Sequence, residues 1–295
     1  MPPPGVYAPL LTLYDDGEGI DLSATAAFAR RLVDAGIHGL VVAGSTGEFH
    51  LHTPEERRAL LEAVVAACPG TPVLVQVGAP AQRDAVALAA HASASGAAGV
   101  MLITPYYNRV GTPELVAFAR AVHGAAGGLP LIAYTMPAMA GAQWPLDVLA
   151  ELAAEGVVSG VKESADDTGR MLGIIAACPQ PFAAFCGTPP LLISTVLAGG
   201  HGGILAIANA VPERCVAVYD AVDAGDGLRA AELFAPLVPL IAAVRTAGAA
   251  PTGLRAAAAI RFGVGTSTRR PLAPAPDDSA VRAALGGAAI ERATR

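Results

Sequence analysis

Gly99-Val100-Met101-Leu102-Ile103 is an uninterrupted apolar run, followed by the loop residues Thr104-Pro105-Tyr106-Tyr107-Asn108 and then by Thr112-Pro113-Glu114, which opens an Ala- and Leu-rich segment of helical period. A strand with one wet face alternates apolar and polar residues, whereas a run apolar at every position is buried on both faces, as in a parallel sheet covered by helices. The stretch therefore reads as strand, loop and crossover helix. Outward from it the same unit recurs, with strands expected at Val6–Leu13, Gly39–Ala43, Val73–Val77, Leu131–Tyr134, Gly156–Lys162, Phe182–Cys186 and Gly203–Ile207. The helices between them are expected to begin near Asp21, Thr53, Ala81, Thr112, Pro145, Asp166, Thr188 and Asn209. Thr53-Pro54-Glu55-Glu56 carries a full start signal, a Thr N-cap with Pro at the first helical position and Glu at the third; Thr112-Pro113-Glu114 begins similarly.

Eight such units predict an α/β fold, a closed (β/α)8 TIM barrel, over residues 1–212. Residues 213–295 read as a C-terminal helical extension, with helices at Val216–Ala224, Leu228–Thr246 and Gly253–Phe262, a Pro-rich connector from Pro271 to Pro276, a final short helix and a tail. The alternative, an open doubly wound sheet, lacks the Gly-rich fingerprint after its first strand.

Composition narrows the class of function. The chain of 295 residues carries a net charge of −6 with its arginines scattered, which argues against a nucleic-acid footprint. Cys68, Cys178, Cys186 and Cys215 form no CxxC pair and have no His at ligand spacing, so they read as free core thiols of a reducing cytoplasm rather than as a metal or redox site. The start, Met1-Pro2-Pro3-Pro4-Gly5, has no signal-peptide pattern. The apolar stretch from Leu191 to Val211 is divided by Gly199, Gly200, His201, Gly202 and Gly203 into helix, turn and strand, so no membrane span is expected.

One lysine, Lys162, stands against eighteen arginines. Lysine can lose its proton and attack a carbonyl, and arginine in practice cannot. By itself this leaves Lys162 either a leftover surface cation or a nucleophile. Its place favours the second: it closes the sixth strand, Tyr134 closes the fifth, Tyr106 and Tyr107 follow the fourth, and Ser45 and Thr46 follow the second. The C-terminal strand ends are where such barrels hold their active sites. Along its strand Lys162 shares a face with Gly160 and Val158, and Gly160 is expected to leave space beneath the lysine stem. The bland readings are a half-buried core tyrosine at Tyr134, interface packing at Tyr106 and Tyr107, and turn formation at Ser45 and Thr46. Glu48 looks catalytic in isolation.

The motifs Gly44-Ser45-Thr46-Gly47-Glu48, Pro105-Tyr106-Tyr107-Asn108, Tyr134-Thr135-Met136-Pro137, Gly160-Val161-Lys162-Glu163-Ser164 and Gly199-Gly200-His201-Gly202-Gly203 occur in this order. In that order they resemble the dihydrodipicolinate synthase and N-acetylneuraminate lyase family, from about Val6 to Pro212. The resemblance implies that Lys162 forms a Schiff base with the C2 carbonyl of pyruvate or another 2-oxo acid, with no separate cofactor and no metal. Tyr134 would move protons, Ser45 would hydrogen-bond its phenol, and Tyr107 would reach in from a neighbouring subunit. Thr46 and Gly47 would hold the carboxylate, with Ile204, Met139 and Gly187 also touching substrate, and Glu48 would be structural. The resemblance further implies a cytoplasmic homotetramer assembled from tight dimers, with an aldehyde as the second partner.

Two departures bear on substrate. Synthases of the family place an Arg after the catalytic Tyr, and here Met139 stands there; a thioether cannot pair with a carboxylate. The neuraminate lyases use an acidic pair after the seventh strand, and here the chain reads Gly187-Thr188-Pro189-Pro190. The leading expectation is a lyase acting on a short 2-oxo-4-hydroxy acid. A synthase or dehydratase on the same enamine, with the Met139 loop compensated from elsewhere, stays open, as does a non-catalytic binding oligomer. A pyridoxal-phosphate barrel is disfavoured, because no basic residue accompanies the glycines at 199–203.

Overall fold

In the computed structural model, which describes residues 1–248 and 250–288, eight parallel strands close into one barrel: β1 (Gly5–Pro9), β2 (Gly39–Val42), β3 (Val73–Gln76), β4 (Gly99–Ile103), β5 (Leu131–Thr135), β6 (Gly160–Glu163), β7 (Ala183–Cys186) and β8 (Gly202–Ile204). Each pairs with the next in sequence, and β8 closes on β1 through Gly5↔Gly202 and Tyr7↔Ile204. Helices α1 (Leu22–Asp34), α2 (Pro54–Ala67), α3 (Gln82–Ala94) and α4 (Thr112–Ala125) follow the first four strands. The next are a single turn, α5 (Pro137–Ala140), then α6 (Leu146–Ala154), α7 (Thr168–Ala177), α8 (Leu192–Leu197) and α9 (Pro212–Asp223). The strands are buried at every position, the physical content of their unbroken apolar runs.

Helix starts follow the signals in the sequence in most places. Thr53 and Glu56 close the capping box of α2, and Asp21 and Asp167 cap α1 and α7 by accepting from the amides of Ala24 and Arg170. Thr112 does not cap α4; it is already helical, and Gly111 precedes it with no side-chain cap.

Three expected strands lose three or more residues at one end of their apolar runs. After Pro9 the chain leaves the sheet, and the amides of Leu11 and Leu13 are satisfied by Asn209 Oδ1 and Thr25 Oγ1 instead of a neighbouring strand. Gly156 takes a left-handed conformation, and the amides of Val157 and Val158 both turn back to the Leu152 carbonyl, so pairing within β6 begins only at Gly160. Beyond Ile204 the chain coils into a short 3-10 turn at Ala206–Asn209.

The eighth helix of the ring, α9, begins at Pro212 and packs on β1 and α8, so the chain crosses residue 212 within the ring. The rest forms α10 (Gly227–Phe234), α11 (Leu237–Thr246), α12 (Thr252–Phe262) and α13 (Ser279–Ala288). The helix expected over Leu228–Thr246 is two, broken at Ala235-Pro236, where proline lacks the amide that would continue the ladder. No single helix among the described residues is long and apolar enough to cross a membrane; α10 and α11 reach that length together but meet at a 42° bend. The expected tail beyond residue 288 lies outside the described residues.

A buried seam ties the extension to the barrel. Glu48, in left-handed backbone at the end of the β2 turn, accepts from Arg255 of α12 at 2.6 Å, and both side chains are buried. Arg255 also donates to the Thr12 carbonyl at 2.8 Å and lies over the Tyr14 ring. Beside it the Tyr14 hydroxyl and His52 Nε2 are hydrogen-bonded at 2.7 Å. Burial, and secondarily the Arg269 charge, hold the His52 pKa down at about 4.

Candidate active site

A cavity of about 270 Å³ opens at the C-terminal ends of the barrel strands. Its inner end is made by strand ends. In the register of β5, β6 and β7, Tyr134 lies beside Lys162 and Lys162 beside Phe185. Lys162 is 4% exposed, and its Nζ sits 4.2 Å from the centroid of the Tyr134 ring. The Tyr134 phenol is in turn 3.2 Å from Ser45 Oγ, which follows β2 on the other side of the barrel. An amine over an aromatic face and a phenol tied to a hydroxyl thus form one chain of contacts across the barrel mouth.

Gly160 plays a different part from the expected one. A β-carbon there would lie 2.4 Å from the Ala183 carbonyl oxygen and 2.9 Å from Ile132 Cδ1. Its missing side chain is required by the neighbouring strands, and the space is already filled.

The turn after β2 supplies donors. Glu48 N donates to the Ser45 carbonyl and Phe49 N to the Gly44 carbonyl, which folds residues 44–49 tightly. Among the described residues, the amides of Ser45, Thr46 and Gly47 have no protein acceptor. Ser45 and Thr46 line the cavity, and a tight turn with free N–H groups is an anion-binding concavity. Gly47 does not line it. A β-carbon at Gly47 would meet the Leu10 carbonyl at 2.7 Å, so this glycine lets the turn lie against the loop after β1.

Ile204, Gly187 and Met139 line the cavity as expected from the sequence. Gly187 has a packing duty as well, since its β-carbon would fall 1.8 Å from Ser164 Oγ. Met139 is on α5, half-exposed at the outer end. Tyr107 is the residue this chain does not bring in: it is 97% exposed, does not line the cavity, and adopts the left-handed backbone at φ 75°. Its neighbour Tyr106 is half-buried, edge-on to Phe49 with ring centroids 5.7 Å apart.

Behind β6, Glu163 faces away from the cavity and pairs with Arg170 at 2.9 Å, while accepting from Ala165 N at 2.9 Å. Arg170 reaches on to the Trp144 carbonyl. Burial pushes the Glu163 carboxyl up and the Arg170 charge pulls it back. The pair pins the loop that carries Ser164. Cys186, wholly buried at the end of β7, has its thiol pushed up to about 12 by burial, so it holds its proton and is a poor nucleophile. All four cysteines are free and buried.

Several lining residues were given no site role by the sequence. Ser164 and Thr188 line the cavity, and their hydroxyl oxygens are buried without a hydrogen-bond partner among the described residues. Arg245, Ile241 and Val244 of α11, with Leu254 of α12, form an outer wall from the extension. Among the described lining residues there are two cations, Lys162 and Arg245, and no carboxylate. The site favours anionic ligands.

The sequence profile of the dihydrodipicolinate synthetase family matches residues 2–285. A DapA-like lyase of Halobacterium salinarum is 37% identical over 282 residues, 95% of this chain and 91% of that one. A 4-hydroxy-tetrahydrodipicolinate synthase of Phenylobacterium zucineum is 33% identical, covering 92% of each chain, and a probable 2-dehydro-3-deoxy-D-pentonate aldolase of Escherichia coli is 33% identical, covering 80% of each. Among solved structures, a prophage protein of Escherichia coli K12, of the dihydrodipicolinic acid synthase family and in complex with pyruvate, superposes with a TM-score of 0.89 at 27% identity, over 96% of each chain.

Proposed function

We propose, from the premise that this chain belongs to the dihydrodipicolinate synthetase family, that it cleaves or forms a short 2-oxo-4-hydroxy acid through an imine on Lys162. Membership makes it an enzyme of the class I aldolase and lyase type. The substrate and the residue roles are the further step. The observation that carries them is the Lys162 amine, buried over the Tyr134 ring in a cavity whose described lining offers it no carboxylate.

In this reading the neutral amine adds to the C2 carbonyl, and loss of water gives the imine. The protonated imine is an electron sink. Removal of the C4 hydroxyl proton lets the C3–C4 bond break, so its electron pair enters an enamine and an aldehyde departs. Protonation at C3 and hydrolysis then return pyruvate and the free lysine. Tyr134, between Lys162 and Ser45, carries the protons, and its hydrogen bond to Ser45 fixes the phenol for the task. The free amides and hydroxyl of the Ser45-Thr46 turn hold the C1 carboxylate. No cofactor or metal enters these steps. The volume of the cavity supports a small acid, and its Met139 and Pro189 wall gives a long sugar chain few partners.

Tyr107, outward and in strained backbone, completes the proton relay of a second copy in a tight dimer, two dimers forming a cytoplasmic homotetramer. Incubation with pyruvate and borohydride, followed by peptide mass spectrometry, tests the central claim. An adduct on Lys162 is the expected result, and its absence at saturating pyruvate overturns the reading.

A further inference from the structure

We propose that Arg245 is a specificity-determining residue that receives a second carboxylate, at the far end of a 2-oxo acid bound to Lys162. The inference rests on the imine reading above and gives it a substrate class: 2-oxo acids with an anionic group at both ends.

Three observations carry it. First, the described lining holds two cations and no anion, and the two stand at different places: Lys162 on β6 at the inner end, Arg245 in the last turn of α11 at the outer end. The turn at Ser45 and Thr46 already answers the first carboxylate, so Arg245 is a charge in excess of what pyruvate needs. Second, the other residues that α5 and its N-cap, the Pro189 turn and α11 bring to the cavity are apolar: Met136, Met139, Pro189, Ile241 and Val244. Arg245 is the one charged group that the described lining offers at that end, so a distal anion has no other charged partner there.

Third, Arg245 is held only loosely. Its ion-pair partner is Asp166, with Nη2 3.9 Å from Oδ2 and the two side chains 65% and 44% exposed. Such exposed, long pairs contribute little and give way to a closer bidentate partner. Asp166 lies in the loop directly after β6, in left-handed backbone, so the contact spans the rim from the lysine's own loop to the helical extension. A carboxylate arriving there replaces Asp166. A substrate ending in a methyl or hydroxymethyl group gains nothing from Arg245. The competing account is that Arg245 merely complements the C-terminal end of α11 as a solvent-facing cation.

The two accounts separate with a matched pair of ligands. 2-Oxoglutarate and 2-oxopentanoate have the same chain length and differ only in a distal carboxylate against a methyl group. Each is titrated with borohydride, the Lys162 adduct is quantified by mass spectrometry, and half-saturating concentrations are expressed relative to pyruvate in the same variant. The wild-type chain is expected to favour 2-oxoglutarate by about tenfold, the size of one partly exposed bidentate pair. Arg245→Ala is expected to erase that preference, Arg245→Lys to retain part of it, and Asp166→Asn to increase it by removing the competitor. Equal trapping of the two acids by the wild type, or a preference that survives Arg245→Ala, overturns the proposal. If pyruvate itself gives no Lys162 adduct, the imine reading falls and this inference with it; a pyruvate adduct without the preference overturns this inference alone.

Discussion

The two ends of the cavity are built by different parts of the chain. The inner end is made by the barrel: Lys162 and Tyr134 are held in the register of β5, β6 and β7, and Ser45 and Thr46 sit in the tight turn just beyond β2. The outer end is made by α5, by the 3-10 turn at Pro189–Leu191 and by α11 and α12, elements that approach from four places in the sequence. Rigid strands suit groups that must keep the geometry of bond making, and helices and loops suit walls that vary with the substrate. The first should therefore govern rate, and the second selectivity.

The largest test of that division is Lys162→Arg. Charge is kept and the nucleophile is lost, so turnover should fall by at least about 10⁴-fold while circular dichroism and thermal unfolding stay near wild type. Substantial residual turnover would break the comparison at its root, since the inner end would then act without its amine.

Next is the seam that joins the two regions. Glu48→Gln leaves Arg255 buried without its counter-charge, and loss of one partner of a buried pair costs about 3–5 kcal/mol. Chemical denaturation should show that loss, and the outer wall, which hangs on α12, should loosen before the barrel does. A barrel and extension that unfold together at unchanged stability would show that the seam does not hold them.

The inner end was legible in the sequence because each of its residues follows a local apolar run that marks a strand. Ser45, Tyr134 and Lys162 needed only the order of the strands to be placed together. Strand lengths were less legible. Val157-Val158 is as apolar as a strand, yet its amides are taken by the carbonyl of Leu152, and periodicity cannot distinguish a buried turn from a buried strand. Arg245 and Val244 carried no signal at all, because a cation and a valine in the last turn of an amphipathic helix look like any surface helix until the extension folds over the barrel. Gly47 was expected to hold the carboxylate and Gly160 to leave space beneath Lys162, and at both positions a neighbouring loop or strand also passes too close for a side chain.

The seam also has a pH dependence. His52 is held at about 4, below its ordinary 6.5, so between those values the unfolded chain takes up a proton that the folded chain refuses. Its contribution is fully present above pH 6.5 and is lost as pH falls towards 4, by about 3 kcal/mol over that window. Unfolding free energies measured from pH 7 to pH 4 should show this slope, and His52→Gln should flatten it. A slope unchanged in the variant would assign the acid sensitivity to other groups.

Within the inner end, Tyr134→Phe separates proton transfer from binding. The ring that lies under the amine remains and the phenol bonded to Ser45 is lost. kcat should fall by about 10²-fold or more, while the pyruvate concentration that half-saturates borohydride trapping shifts only a few-fold. Equal losses in both would make Tyr134 a binding residue and blur the line between the two ends.

The smallest effect is expected at Met139. Its side chain is half-exposed and touches the cavity only at the outer end, on the single turn α5. Truncation in Met139→Ala removes apolar surface that no strand supports, and the neighbouring Met136 is flexible enough to fill part of the gap. KM for a 2-oxo-4-hydroxy acid should rise by about threefold with kcat nearly unchanged, the pattern of a contact made equally in the ground and transition states. A fall in kcat as large as that of Tyr134→Phe would mean that the outer wall aligns the bond to be broken, and the two ends of the cavity would then act as one.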